Sequence, residues 1–177
     1  IINDEQLCID VKPRTRGKSE MIIEEFMLLA NESAARLARE KQIPFVYRIH
    51  ETPSPEKIDD LKSGLRRLNV EIPVFSQVKP SHLAEILTNA KDKPFYPVVN
   101  MMTLRSMAKA KYHTEPVGHF GLALDDYAHF TSPIRRYPDL AIHRILSDVI
   151  DGADSQWLEK RYGGFAAKAS EHSTAAE

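Results

Sequence analysis

Apolar residues recur at helical spacing over residues 19–42, where Ile22, Phe26, Leu29, Ala30 and Leu37, with Ser33 among them, share one face. Ser19 stands ready to cap that helix and Pro44 stops it. Upstream, Leu7, Ile9 and Val11 alternate with polar residues, predicting a strand before a turn at Gly17. FVYRI (45–49) is short, β-branched and aromatic, which predicts a buried strand. Ser54 and Pro55 then open a helix whose stripe is Ile58, Leu61, Leu65 and Leu68, with Glu56 favouring its positive end. After a loop at 71–80, a short helix from Ser81 turns Leu83, Ile86, Leu87 and Ala90 inward, and KDKPFYP ends it.

Helix resumes from Val98 to about Lys111, with Met101, Met102 and Met107 read as core. Residues 112–124, with Gly118 and Gly121, read as strand and turn. A helix is predicted from Pro133 to about Ile150, anchored by Ile142, Ile145, Leu146, Val149 and Ile150, and a last one from about Ser155 to the end. The fold class expected is α+β, predominantly helical with short strands.

Composition narrows the function classes. The net charge of −1 excludes a uniformly basic coat for nucleic acid, so anion binding has to be local. The apolar run at 21–30 is broken by Glu24 and Glu25, and no run is long enough to span a membrane. One cysteine, Cys8, excludes an internal disulfide framework; it fits a reducing, cytoplasmic setting and is expected as a small packed side chain. The start, IINDEQ, has no initiator Met and no signal-peptide pattern, and is expected to be a cut edge of a longer protein.

The chemistry gathers in YAHFTSPIRRYPDLAIHR (127–144). Thr131 or Ser132 can cap a helix starting at Pro133, leaving first-turn N–H groups that favour an anion. Arg135 and Arg136 in that turn oppose the helix dipole unless a phosphate sits there, which guanidinium forks match well. Pro138 would interrupt the helix behind this cradle, and Asp139 could orient Arg135 or His143. A solvated charged face with a salt bridge is the competing reading, and both stand on these grounds alone. His113, His119, His129 and His143 match no metal-ligand spacing, and Asp125-Asp126 reads as a solvated pair in a loop.

GHFGLALDDYAHFTSPIRRYPDLAIHR (118–144) closely resembles the signature of the RNB catalytic domain of the ribonuclease II and ribonuclease R family. IIEEFMLLANESAARLA (22–38), FVYRIHETPSPEKI (45–58) and EHSTAAE (171–177) extend the resemblance over essentially the whole chain, with details more similar to the ribonuclease R branch.

The resemblance implies processive 3′-to-5′ hydrolysis of single-stranded RNA to nucleoside 5′-monophosphates, with a magnesium pair held by aspartates. It implies that Arg135 is the catalytic arginine, and that Thr131, Ser132, Arg136 and Tyr137 line the RNA path. His119 and Phe120 join them as RNA-binding residues, His50 and Pro53 belong to a channel wall for 3′-terminal bases, and Glu177 would contact the terminal ribose. The family's aspartate cluster has no counterpart in these residues, and Asp125-Asp126 does not replace it. The chain is therefore expected to be the C-terminal half of the catalytic domain, lacking the cold-shock and S1-type RNA-binding domains. Magnesium ligands would lie upstream, and the piece would be inactive alone. An RNA-binding module from an inactive relative is the alternative.

Overall fold

The computed structural model describes residues 1–12 and 15–176. Seven α-helices and two strands follow one another as α1 (Lys18–Lys41), β1 (Tyr47–Ile49), α2 (Pro55–Arg67), α3 (Pro80–Ala90), α4 (Tyr96–Ser106), β2 (Lys111–His113), α5 (Tyr137–Ile150), α6 (Ser155–Leu158) and α7 (Gly164–Ala176). A 3₁₀ turn occupies Phe120–Leu122, and one π turn, Glu159–Gly163, joins α6 to α7. The α+β expectation, mostly helix with short strands, holds.

The strands pair antiparallel, Arg48 opposite Tyr112, although α2, α3 and α4 lie between them in sequence. Those three helices form their own apolar cluster around Leu65, Ile86, Ala90 and Val99. The α2 prediction is met in detail: the Ser54 hydroxyl accepts the Lys57 N–H, and Ile58, Leu61 and Leu65 are buried. A second cluster joins Ala34, Ala35 and Ala38 of α1 to Phe45, Ile49, Ile142, Ile145 and Leu158. Val46 and Tyr112 pack on Ala166 and Ala169, fixing the strand pair to α7.

Several expectations are corrected. The face of α1 carrying Ile22, Phe26, Leu29 and Leu37 is exposed, and the buried side is the small, polar one of Asn31, Ala34, Ala35 and Ala38. Small residues win there because they let the helix approach a loop closely. Gly17, not Ser19, caps α1, its N–H donating to the Glu20 carboxylate at 2.5 Å. The alternation at 7–11 yields one isolated antiparallel bridge, Ile2 to Cys8, and Cys8 is exposed rather than packed.

Helix α4 ends at Ser106, five residues early, because Lys111 is drawn into the strand pair. Within the methionine stripe, Met102 and Met107 pack on the α2–α4 cluster while Met101 is exposed. Helix α5 starts at Tyr137, not Pro133, and Ile150 at its end is exposed. Pro138 accordingly sits in the first turn, where its missing N–H costs nothing, instead of breaking a longer helix.

Candidate nucleic-acid interface

The loop at 127–136 lies between β1, α1 and α5, and its backbone is held by side chains from two of them. Its first anchor is main-chain: Arg48 N–H donates to Tyr127 O at 2.9 Å, on the edge of β1 away from β2. Asn31 Oδ1, from α1, accepts the N–H groups of Phe130 (2.9 Å) and Thr131 (3.2 Å). Asp139 Oδ1, from α5, accepts Ser132 N–H at 2.7 Å. His143 Nε2–H donates to Phe130 O at 2.9 Å while its ring stacks on Phe130 at 4.2 Å. Ser132 O accepts the N–H groups of both Arg135 and Arg136, closing a tight turn.

That turn separates the two arginines. Arg136 folds back, and its Nη2 meets Asp139 Oδ1 at 2.8 Å; the carboxylate is fully buried. Asp139 thus orients Arg136, not Arg135 or His143. Arg135 points outward: it is exposed, and among the described residues its guanidinium has no hydrogen-bond or ion-pair partner. Neither arginine lies in a helix first turn, since Arg136 is the N-cap of α5 and Arg135 precedes it. The cradle of capped helix N–H groups expected at Pro133 is replaced by a clamped loop presenting one free guanidinium. Tyr137, half exposed, stands beside it with its ring against Phe165 at 5.9 Å. Thr131 and Ser132 are half-buried in the loop itself.

Three buried polar atoms here, Thr131 Oγ1, Arg136 Nε and Asp139 Oδ2, have no hydrogen-bond partner among the described residues. Unpaired buried polar atoms are costly and concentrate where a further partner belongs.

His50, His119 and Phe120 form a second group. Their rings meet edge-on, His50 to His119 at 5.1 Å and His50 to Phe120 at 6.1 Å. His50 accepts Gly121 N–H at Nδ1 (3.0 Å) and donates from Nε2 to Ala108 O (2.9 Å), which fixes its tautomer. A Cβ at Gly121 would stand 2.6 Å from His50 Nδ1, so only glycine admits this contact. These rings line an open cavity of about 360 Å³ with Glu51, Gly118 and Asp125. Pro53 is buried and faces a different cavity, beside Phe75 and Lys62, so it does not share this wall. Glu177 lies outside the described residues.

Rings connect the two groups: His119 meets Tyr127 at 5.1 Å, and Tyr127 meets His129 at 5.8 Å. His129 Nδ1 lies 2.8 Å from the Tyr112 hydroxyl, and Arg48 covers the Tyr112 ring at 4.6 Å. Burial first, then the neighbouring Arg136 and Arg48 charges, push His129 down to about 4. Burial and then His50 push His119 down to about 4. Both imidazoles are neutral at ordinary pH, so the ladder joining the two groups is an uncharged, edge-to-face run of rings packed around the buried Tyr127.

The donor set does not fit a metal ion. Of the pair expected to be solvated, Asp125 is exposed but Asp126 is buried, with Arg39 Nε 2.7 Å from its Oδ1, and Asp139 is committed to Arg136. Among the described residues no three His, Cys, Asp or Glu side chains come together as ligands.

Sequence reasoning passed over Asn31. The signal was available, because Asn31, Ala34, Ala35 and Ala38 form a stripe of small and polar residues on one helical face.

The RNB domain family model matches residues 1–152. The chain belongs to that family. It is 43% identical over 146 residues to ribonuclease R of Thermotoga maritima, covering 82% of this chain and 21% of that protein. It is 44% identical to ribonuclease R of Escherichia coli, covering 82% of this chain and 18% of that one. The chain thus spans about a fifth of the length of these curated relatives.

Among solved structures, Mycoplasma genitalium RNase R in complex with ribose-methylated single-stranded RNA is 32% identical with a TM-score of 0.83, covering 97% of this chain and 27% of that one. Yeast Ssd1, described as a pseudonuclease, is 21% identical with a TM-score of 0.66 over 88% of this chain and 20% of its own, and shares the fold. Among the described residues no helix is long and apolar enough to cross a membrane.

Proposed function

We propose that this chain is the C-terminal half of an exoribonuclease catalytic domain. In the full-length protein it would supply the catalytic arginine, Arg135, and part of a channel for single-stranded RNA cut processively from its 3′ end to nucleoside 5′-monophosphates. The observation that carries the reading is the free Arg135 guanidinium, projected from a loop clamped on both sides by buried side chains. Such a group can lie against a phosphate and offset the charge that develops on it as the bond breaks, an interaction strongest in the transition state.

Thr131, Ser132, Arg136 and Tyr137 would flank the backbone near that phosphate, and the His50, His119 and Phe120 rings would receive bases. Magnesium, if it serves the reaction, would be held by residues outside this chain, so the chain alone would not cleave RNA. Cold-shock and S1-type domains of the whole protein would complete the RNA path, and a cytoplasmic setting suits the single thiol.

A binding-only reading competes, because the same fold occurs in a protein described as a pseudonuclease. The full-length protein beside Arg135→Ala, given 5′-labelled single-stranded RNA and magnesium, separates the two. The expected result is trimming to a short remnant by the wild type and turnover about a hundredfold slower in the variant, with RNA still bound. Wild-type protein that binds the RNA and never shortens it would leave the binding module as the reading.

A further inference from the structure

We infer that Asn31 is the positioning residue that holds the Arg135 loop in its presenting conformation, a role that rests, for its effect on turnover, on the exoribonuclease reading above. Three successive N–H groups, those of Phe130, Thr131 and Ser132, are accepted by oxygen atoms of just two buried side chains, Asn31 supplying the first two and Asp139 the third. Two amides converging on one Asn31 atom identify that atom as the oxygen, so the nitrogen Nδ2 is the end that donates to the Tyr127 hydroxyl at 3.2 Å. A primary amide is suited to both tasks at once, accepting from the loop backbone and donating to the ring ladder. Asn31 is 3% exposed, so water does not replace these bonds when they are lost.

Placement makes the contact specific. Asn31 lies on the α1 face with Ala34, Ala35 and Ala38, whose short side chains let the helix lie close to its neighbours in the core. The held residues precede Arg135 by four and five positions, and the turn at Ser132 transmits their position to the arginine through the bonds from Arg135 N and Arg136 N to Ser132 O. Asp139 holds the turn from the α5 side and is already committed to Arg136. Without Asn31, the N–H groups of Phe130 and Thr131 lose their acceptor, the loop is left to Asp139 and to the bonds at Tyr127 O and Phe130 O, and the free guanidinium samples a wider volume. Misplacement of this kind lowers turnover more than it lowers affinity.

The test uses the full-length protein with Asn31→Leu, which removes the acceptor at similar size, and Asn31→Asp, which keeps it. Amide hydrogen exchange and turnover of single-stranded RNA are measured on the same preparations. In Asn31→Leu, exchange at Phe130 and Thr131 should quicken at least about tenfold while core amides such as Ile145 stay protected, the selectivity expected of local opening. The kcat should fall at least about tenfold with KM moving less, and Asn31→Asp should recover most of both. Combined with Arg135→Ala, Asn31→Leu should slow turnover little further, because coupled residues are not additive.

Unchanged exchange at Phe130 and Thr131 would overturn the inference, and so would a loss that multiplies in full with that of Arg135→Ala. Loosened amides in Asn31→Leu together with wild-type turnover in Arg135→Ala would uphold the clamp and overturn the exoribonuclease role of the arginine. Should the leucine variant not fold, Asn31→Ser, whose hydroxyl falls short of the loop, carries the same comparisons.

Discussion

His129 shows how one side chain ties the loop to pH. Its ring is half-buried between Tyr112 and Tyr127, and burial together with Arg136 and Arg48 pushes it from 6.5 down to about 4. The unfolded chain therefore takes up a proton more readily than the folded one. The resulting stability is fully present above about pH 6.5 and is lost as pH falls through about 4. His119 titrates in the same sense and window. His129→Asn keeps an acceptor near Tyr112 but cannot take the proton, so its thermal midpoint should drop less than the wild type's between pH 7 and about pH 4; equal drops would refute the assignment. At this scale the sequence was informative about types more than partners. Arg135 drew notice because two arginines in a helix first turn would oppose the dipole, yet the structure sets both ahead of α5. Asn31 drew none, because an Asn within a helix ordinarily reads as a surface residue, and Asp139 was seen without its true partner, Arg136.

Among the elements, α2 was legible to the residue because a capping serine, a first-turn proline and an apolar stripe all agree. Helix α5 was misjudged at its start because Pro133 resembles a first-turn proline as much as Pro138 does. The choice is made by a tertiary bond, from Ser132 N–H to Asp139, that spacing alone does not reveal. Glycines give a test at this level, since the same substitution should act with opposite sign in two places. A Cβ at Gly121 presses on His50 Nδ1, whose ring is held on both sides, so Gly121→Ala should destabilise by about 1–3 kcal/mol. Gly164 has ordinary helical backbone with nothing within 4 Å of a new Cβ, so Gly164→Ala should stabilise by about 0.5–1 kcal/mol. Urea midpoints decide it, and a neutral Gly121→Ala would mean that the His50 ring yields.

For the whole molecule, the misread face of α1 carries the lesson. Ile22, Phe26 and Leu29 have the spacing of a core stripe, yet each is more than half exposed and, with Lys18, Met21 and Glu25, they line an open groove of about 690 Å³. Periodicity identifies the helix; it does not report which face the remaining residues of these 177 cover. An exposed apolar patch of this kind marks a contact surface or a liability. Covering the exposed half of one such side chain yields about 1 kcal/mol, so four from each of two copies contribute about 8 kcal/mol before the cost of association. What remains supports weak pairing that depends on concentration. The 177-residue chain by itself should therefore self-associate in sedimentation experiments as it is concentrated. Ile22→Lys with Phe26→Lys should abolish this at no cost in unfolding midpoint, because neither side chain contributes to the buried clusters. A double variant that associates as the wild type does would show that another surface is responsible. One that loses stability would show that this face is packed within the chain after all.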